Sequence, residues 1–487
     1  MLFNSYVFIL FFFPLCLVGY FGLNHFRKYT LAQLFLFLMS LWFYGYFNPS
    51  YLPIILVSIV LNYAATYLMG KTENPKLKKA ELVLALLFNL GILFYYKYMD
   101  FFLSNINALF RTDFDLLGIM LPLGISFFTF QQLSYVVDAY RGEVQRYNFL
   151  QYASFVAYFP QLVAGPIVTH DELIPQFEDM SKKAPRWDNM AGGLFIFALG
   201  LGKKVLLADT FGNAANWGFA NISLLDSTNA LITMLAYTIQ LYFDFSGYCD
   251  MAIGIAKMMN FDLPVNFDSP YKALTITEFW ARWHKTLTRF FTKYVYIPLG
   301  GNRKGAARTY LNVFTVFLVS GLWHGANWTF ILWGVLHGVF MVISRRWKKQ
   351  IERIPAPVNW LITFTFVNLT WIIFRANSIA ESMEMIEKIF AFDFGPINGY
   401  ISAAFNLPEF LFVLNLALPF DWVSTCPHLL MILAFALVLP MLLCCRNAHE
   451  HMQTFRPRLL NLIGIWILLV WCILSFAGVS TFLYFNF

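Results

Sequence analysis

Apolar runs of about twenty residues recur from one end of the chain to the other, separated by short polar turns. A run of that length crosses a hydrocarbon core of roughly 30 Å as a helix. The candidate spans are 3–22, 31–48, 51–69, 82–102, 117–137, 150–168, 190–209, 229–246, 309–323, 327–344, 357–375, 408–421, 428–445 and 459–480. Several are too short or too interrupted to be ordinary spans. The stretch FVAYFPQLVAGPI (155–167) sets two prolines and a glycine among aromatics, and broken backbone at membrane depth is tolerated only when buried in protein or lining a cavity. The pattern predicts an all-α polytopic membrane protein with about 11 crossings plus re-entrant or buried helices. No loop is long and polar enough for a soluble domain, so 1–487 reads as a single integral-membrane domain.

Two regions break the pattern. The least lipid-like is DLPVNFDSPYKALTITEFWARWHKTLTRFFTKYVYIPLGGNRKG (262–305). Thr275 and Glu278 have capping-box spacing, which predicts a helix start. Along that helix Glu278, Arg282, Lys285 and Arg289 form one polar stripe, and Phe279, Trp280, Trp283 and Phe290 supply the apolar remainder. Such a helix lies along the interface or packs inside the protein; it does not span. The second region, RANSIAESMEMIEKIF (375–390), predicts an amphipathic helix on the outer face, resting on the membrane surface or docking a partner.

Composition sharpens the class. Of 487 residues, 59% are hydrophobic and 13% charged, against about 25% charged in a soluble domain. The net charge of +7 is concentrated in short clusters at 26–29, 71–79, 181–186, 302–308 and 344–349. Lys and Arg accumulate on cytoplasmic loops, which puts these five inside and the first terminus outside; short loops between spans exclude nucleic acid as their partner. Charge alone does not set the direction of 400–445. The first apolar run lacks a basic n-region and a small-x-small cleavage site, so it reads as a retained helix. The six cysteines have no metal-ligand or redox spacing and read as small core hydrophobes. GLGKK (200–204) lacks the spacing of a phosphate-binding loop and no G-x-S-x-G elbow occurs. HEH (449–451) offers no third ligand, so no metal site is expected.

Ionisable groups within a bilayer cost about 2.5–3.5 kcal/mol each and are functional by default. Three constellations qualify. The first is His324 in SGLWHGANWTFILWGVLHG (320–338). It lies about 24 Å of helix from Arg308 and about 31 Å from Arg345, which puts it near the top of a hairpin, or nearer mid-depth if the helices tilt. Gly321 and Gly325 permit close approach of backbone or ligand. A neutral imidazole there fits a general base toward a hydroxyl nucleophile, and equally a packed histidine bonded to a carbonyl; His337 reads as structural. The second is FWARWHKTL (279–287), where Arg282 and Lys285 beside His284 fit the phosphates of a coenzyme A thioester; for Lys285 and Arg289 a basic stripe meeting anionic lipid headgroups fits equally well. The third is YFDFSGYCDMAIGIAKMM (242–259), where the carboxylates Asp244 and Asp250 require partners, expected to be Arg or His from the other two segments.

The segments DFSGYCDMAIGIAKMMNF, FWARWHKTLTRFFTKYVYIPLGGNR and SGLWHGANWTFILWGVLHG, in this order, resemble the membrane-bound O-acyltransferase family. The similarity is to its bacterial branch that O-acetylates alginate, peptidoglycan and related envelope polymers. LPLGISFFTFQQLSYVVDAYRG (121–142), AYFPQLVAGPI (157–167) and FRANS (374–378) extend it through almost the whole chain, with the motif core in 121–345 and C-terminal helices in 357–487. The resemblance implies a ring of transmembrane helices around a thin core, with a central tunnel from a cytoplasmic donor site to an outer funnel. It makes His324 the family's near-invariant histidine and His284 its second. Tyr484 in STFLYFNF (480–487) matches an aromatic C-terminal motif in which a tyrosine has been proposed to carry the acyl group; an interfacial aromatic anchor is the alternative. Trp283, Trp323 and Asn327, flanking the two histidines, join Arg282, Lys285 and Asp244 as candidate substrate-binding residues.

The expectation is a bacterial inner-membrane O-acetyltransferase with acetyl-CoA as donor and no bound cofactor. His324 would act as base, His284 and Arg282 would hold or polarise the donor, and Asp244 would orient the basic groups. An extracytoplasmic esterase-like transferase of the SGNH-hydrolase type would finish the modification of a polysaccharide, with membrane lipid around the chain. D-alanyl transfer from a carrier protein, a transporter and a non-catalytic scaffold are the alternatives.

Overall fold

A computed structural model of the chain describes residues 1–417, 425–456, 458–478, 482 and 483, and these contain helices and loops but no strand. Among the described residues, five helical stretches are long and apolar enough to cross a bilayer: Phe8–His25, Tyr51–Met69, Trp187–Ala220, Trp328–Arg346 and Ala356–Arg375. Leu429–Cys444 with Ala448–Thr454, bent by 67°, adds a sixth if the pair is one span. The chain divides into two compact units. One comprises 1–197, 251–265 and 289–294; the other comprises 198–250, 266–288 and 295–487.

The first unit contains α1 (Phe13–His25), α2 (Tyr29–Gly45), α3 (Tyr51–Met69), α4 (Pro75–Leu93), α5 (Ile125–Arg141), α6 (Phe149–Ala157) and α7 (His170–Glu178). Apolar packing against lipid gives helices little reason to associate, so buried amides hold them. Asn62 on α3 donates to Asn89 of α4 (3.1 Å) and to Gln132 of α5 (2.8 Å), and the Tyr152 hydroxyl of α6 reaches the same Gln132 oxygen at 3.2 Å. Asp138, fully buried at the end of α5, accepts from Lys293 Nζ at 2.9 Å and from the Tyr294 hydroxyl at 2.7 Å. The interrupted stretch 155–167 breaks where its prolines predict. Helix α6 stops at Ala157, a single turn follows at Phe159–Leu162, and the backbone through 168 is buried in protein.

The second unit takes in the end of α8 (Trp187–Gly202) from residue 198, which widens through a π turn at Lys203–Ala208 into α9 (Asp209–Ala220), and α10 (Ser227–Met258) as far as residue 250. Next come α11 (Ile276–Arg282), α12 (Lys285–Phe291), α13 (Gly305–His324), α14 (Trp328–Arg346), α15 (Ala356–Arg375) and α16 (Ile379–Phe390). Helices α17 (Leu429–Cys444), α18 (Ala448–Thr454) and α19 (Leu459–Leu474) follow. The amphipathic helix expected over 375–390 begins only at Ile379, because Ser378 caps it by accepting from the Glu381 N–H; Ser382, Met385 and Ile389 form its buried face. The Ser227 end of α10 is pinned to this region, with the Ser227 hydroxyl donating to the Lys388 carbonyl at 2.7 Å. Contacts also orient the stretch that charge left open. His428, before α17, meets Ser402 at 3.0 Å, and beyond α17 the Cys445 carbonyl accepts from Lys272 at 2.6 Å. Helix α17 therefore ends beside the polar 262–305 segment.

The α13–α14 hairpin is the tightest pair. A Cβ on Gly334 would stand 2.6 Å from the Phe317 carbonyl oxygen, and one on Gly321 would collide with the Phe330 carbonyl. The space at Gly321 is thus taken by backbone, and that at Gly325 by the Phe330 ring. Gly321→Leu is expected to separate the hairpin at a cost of about 1–3 kcal/mol or more, read as a lower thermal midpoint of the purified protein in detergent; an unchanged midpoint would show that the two backbones do not touch.

Candidate functional site

His324 is the last residue of α13. The helix ends there because Gly325 leaves it in an extended conformation (φ −171°), and Asn327 starts α14 by accepting from the Thr329 N–H at 3.1 Å. The imidazole is 4% exposed. It stands among three aromatic rings, with centroids 4.9 Å from Trp323, 5.2 Å from Trp333 and 5.1 Å from Phe374. This is the hairpin-top placement expected from the basic flanks.

The helix expected to run unbroken from Thr275 is divided. It stops at Arg282 and restarts at Lys285, and His284 between them has φ 45°. A left-handed histidine costs of order 1 kcal/mol, and Asn266 holds it in place. The Asn266 carbonyl accepts from the Lys285 N–H at 3.0 Å, while its side-chain oxygen takes the Thr286 hydroxyl at 2.7 Å and faces His284 Nδ1 at 3.2 Å. The Asn266 amide nitrogen is committed to Cys249 Sγ at 3.4 Å. An oxygen opposite Nδ1 requires the proton on Nδ1, which leaves the lone pair on Nε2. Burial pushes the His284 pKa down to about 3, so the ring is neutral at physiological pH. The ring meets Trp323 at 6.3 Å between centroids. The two candidate histidines thus contact the same indole.

The carboxylates have partners other than those expected. Lys204 Nζ, with its side chain 1% exposed, bridges Asp244 at 2.7 Å and Asp209 at 2.8 Å. Lys203 Nζ pairs with Asp250 at 2.6 Å. Neither an arginine nor a histidine from the other two segments supplies these charges; two lysines of GLGKK do, residues that the sequence offered only as a failed phosphate loop. The second oxygen of Asp244 accepts from the Leu483 N–H at 2.9 Å, and Phe482 lies over Lys204 (4.7 Å) and against Tyr248 (4.7 Å). Phe482 and Leu483 thus lie beside this triad. Tyr484, the next residue, lies outside the described residues.

The remaining candidates divide. Trp323 belongs to the histidine cluster. Trp283, 1% exposed, packs on Phe279, Phe267 and Trp371 as core. Arg282 bonds Glu278 (3.0 Å) and the Asp268 carbonyl (3.2 Å), which ties down the loop. The rest of the polar stripe is also broken up, since Arg289 pairs with Glu172 of α7 at 2.8 Å. Asn327 caps α14 and donates to the Asn377 carbonyl at 2.9 Å. Lys285 is half-buried on the side of His449 and helps, after burial itself, to hold that histidine's pKa below its ordinary value. His337 is structural as expected, bonded to Trp280 at 3.2 Å and Thr370 at 3.0 Å. Asn266 is the residue sequence reasoning missed.

Comparison with known proteins gives the geometry a context. The model of the membrane-bound O-acyltransferase family matches residues 41–383. The chain is 43% identical over 417 residues to the peptidoglycan O-acetyltransferase of Helicobacter pylori, covering 80% of this chain and 79% of that protein. It is 38% identical over 399 residues to the probable alginate O-acetylase of Pseudomonas aeruginosa, covering 80% and 75%. Similarity to the teichoic acid D-alanyltransferase of Streptococcus thermophilus is lower, 27% over 286 residues, covering 52% and 68%.

Two outcomes follow from the buried groups. Lys204→Met strands two carboxylates and is expected to cost about 3–5 kcal/mol; adding Asp209→Asn and Asp244→Asn should recover most of the lost thermal stability. Because His284 stays neutral while an unfolded histidine titrates near 6.5, its contribution to stability is complete above that pH and is lost as pH falls toward 3. The acid-side decline of the thermal midpoint should therefore be shallower in His284→Gln than in the parent chain; equal slopes would mean the ring is not held neutral.

Proposed function

Because the chain belongs to the membrane-bound O-acyltransferase family and is an acyltransferase, we propose that it moves acetyl from cytoplasmic acetyl-CoA across the bacterial inner membrane for O-acetylation of a cell-envelope or exported polysaccharide. The single observation that carries the reading is the contact of both His284 and His324 with one indole, Trp323. Acetyl is favoured because the relatives at 43% and 38% identity bear O-acetylating names, whereas the D-alanyl relative stands at 27%. In this reading a ring of about 11 transmembrane helices encloses a tunnel, and the histidine pair stands between its two mouths.

The chemistry follows from the imidazoles. An acceptor hydroxyl attacks the thioester carbonyl, His324 removes the hydroxyl proton, and the carbon–sulfur bond breaks as the thiolate leaves and takes up a proton. Tyr484 is the acceptor proposed within the chain. His284, with its lone pair on Nε2, accepts a hydrogen bond from the donor and does not polarise the carbonyl by donating one. Lys285 supplies positive charge for the donor phosphates. Asp244 neutralises Lys204 and holds Leu483, the neighbour of Tyr484 in sequence. An extracytoplasmic SGNH-hydrolase-like transferase then passes acetyl to the polysaccharide, since no catalytic serine motif occurs here.

His324→Ala is expected to abolish polymer acetylation with normal accumulation in the membrane; retained acetylation would remove His324 from the mechanism. Labelled acetyl-CoA supplied to membranes should transfer its label, and a loaded carrier protein should not; the reverse would favour the D-alanyl reading.

A further inference from the structure

A cavity of about 430 Å³ opens in the second unit, and neither histidine of the pair lines it. Its walls come from the end of α8 and the π turn after it, from Tyr242 and Phe243 of α10, from the end of α17 and the start of α18, and from Leu468 of α19. At Gly202 the α8 backbone comes so close to α19 that a Cβ would stand 3.0 Å from Leu468. The lining is of two kinds. Its polar members include Lys203, Arg446 and His451, with Ser269 and Asn447, and no carboxylate lines it among the described residues. Lys203 is balanced by Asp250, but Arg446 is exposed and pairs with no carboxylate among the described residues. Leu206, Leu442 and Leu468 are among its hydrocarbon members.

An apolar ridge on α17 reaches the cavity at Met441, one of its lining residues. Leu433, Leu437 and Met441, at i, i+4 and i+8 on α17, are 46%, 71% and 38% exposed. A ridge of that kind on an apolar helix faces lipid, not water. Cavity, ridge and basic lining together match an amphiphile with one hydrocarbon chain and one anionic phosphate. The volume lies in the lower part of the ~300–1,000 Å³ range of ligand pockets, sufficient for part of an acyl chain. A pantetheine arm would leave its amides unpaired against Leu206, Leu442 and Leu468, which is costly.

We propose that this cavity is a binding site for an anionic phospholipid. An acyl chain enters along the α17 ridge, and the headgroup phosphate rests against Arg446 and His451, with Lys203 behind them. Basic pockets between membrane helices on the cytoplasmic side have the right chemistry for such headgroups, and Lys272, bonded to the Cys445 carbonyl, holds the α17–α18 turn that carries Arg446.

The test is native mass spectrometry of the full chain, delipidated and then titrated with phosphatidylglycerol or phosphatidylcholine. Phosphatidylglycerol should be retained preferentially, and Arg446→Gln should weaken its retention about fivefold, the effect of one basic residue near an anionic headgroup (~1 kcal/mol). Leu468→Trp should block retention with every charge intact, while Lys349→Gln, an exposed lysine outside the cavity, should change nothing. Equal retention of the two lipids, an unaffected Arg446→Gln, or displacement of the lipid by acetyl-CoA would overturn the proposal. None of these readouts depends on acyl transfer.

Discussion

The site depends on one hydrogen-bonding residue, Asn266. Its carbonyl and side-chain oxygen hold the turn in which His284 takes a left-handed conformation, and the same side chain fixes which ring nitrogen carries the proton. Without that anchor the strain at φ 45° would be relieved by letting α11 run on into α12, and the imidazole would rotate away from Trp323. These hydrogen bonds thus divide an amphipathic helix at His284 and hold a neutral imidazole at the break.

The charged groups around the site obey the same economy of solvation. A lysine or carboxylate out of water is tolerated when paired and fully hydrogen-bonded, and Lys204, set between Asp209 and Asp244, meets that condition. Its pairing has a second consequence, because the remaining oxygen of Asp244 is left to receive the backbone of Leu483. Ion pairing inside the second unit and placement of Leu483 are therefore one arrangement. The α13–α14 hairpin works by the opposite means, with backbone at Gly321 and Gly334 replacing side chains and leaving His324 at a rigid end.

Much of this was legible beforehand. Apolar runs revealed the helices, basic flanks placed His324 at the head of a hairpin, and the two prolines in 155–167 marked a buried break. What escaped has physical reasons. Periodicity carries no sign of φ, so the stripe from Glu278 to Arg289 read as one helix although His284 divides it. Asn266 sits in a loop with no period at all. Lys203 and Lys204 are cations in an apolar run whose partners on α10, Asp250 and Asp244, lie 47 and 40 residues away, a separation that no local pattern records. Arg282 and Asn327 had suitable chemistry for a ligand, and each is bonded within the protein, to Glu278 and the Asp268 carbonyl and to the Asn377 carbonyl and the Thr329 N–H.

The account stands on directional transfer past the two imidazoles, from the face bearing Lys285 to the opposite one. Proteoliposomes of defined orientation, given radiolabelled acetyl-CoA on one side only, measure it directly. Label is expected to reach the protein or a hydroxyl acceptor enclosed on the far side when the thioester is supplied at the face of the basic loops, and to be absent when it is supplied at the other. Equal labelling from both faces, or labelling that survives loss of the His324 imidazole, would contradict the account.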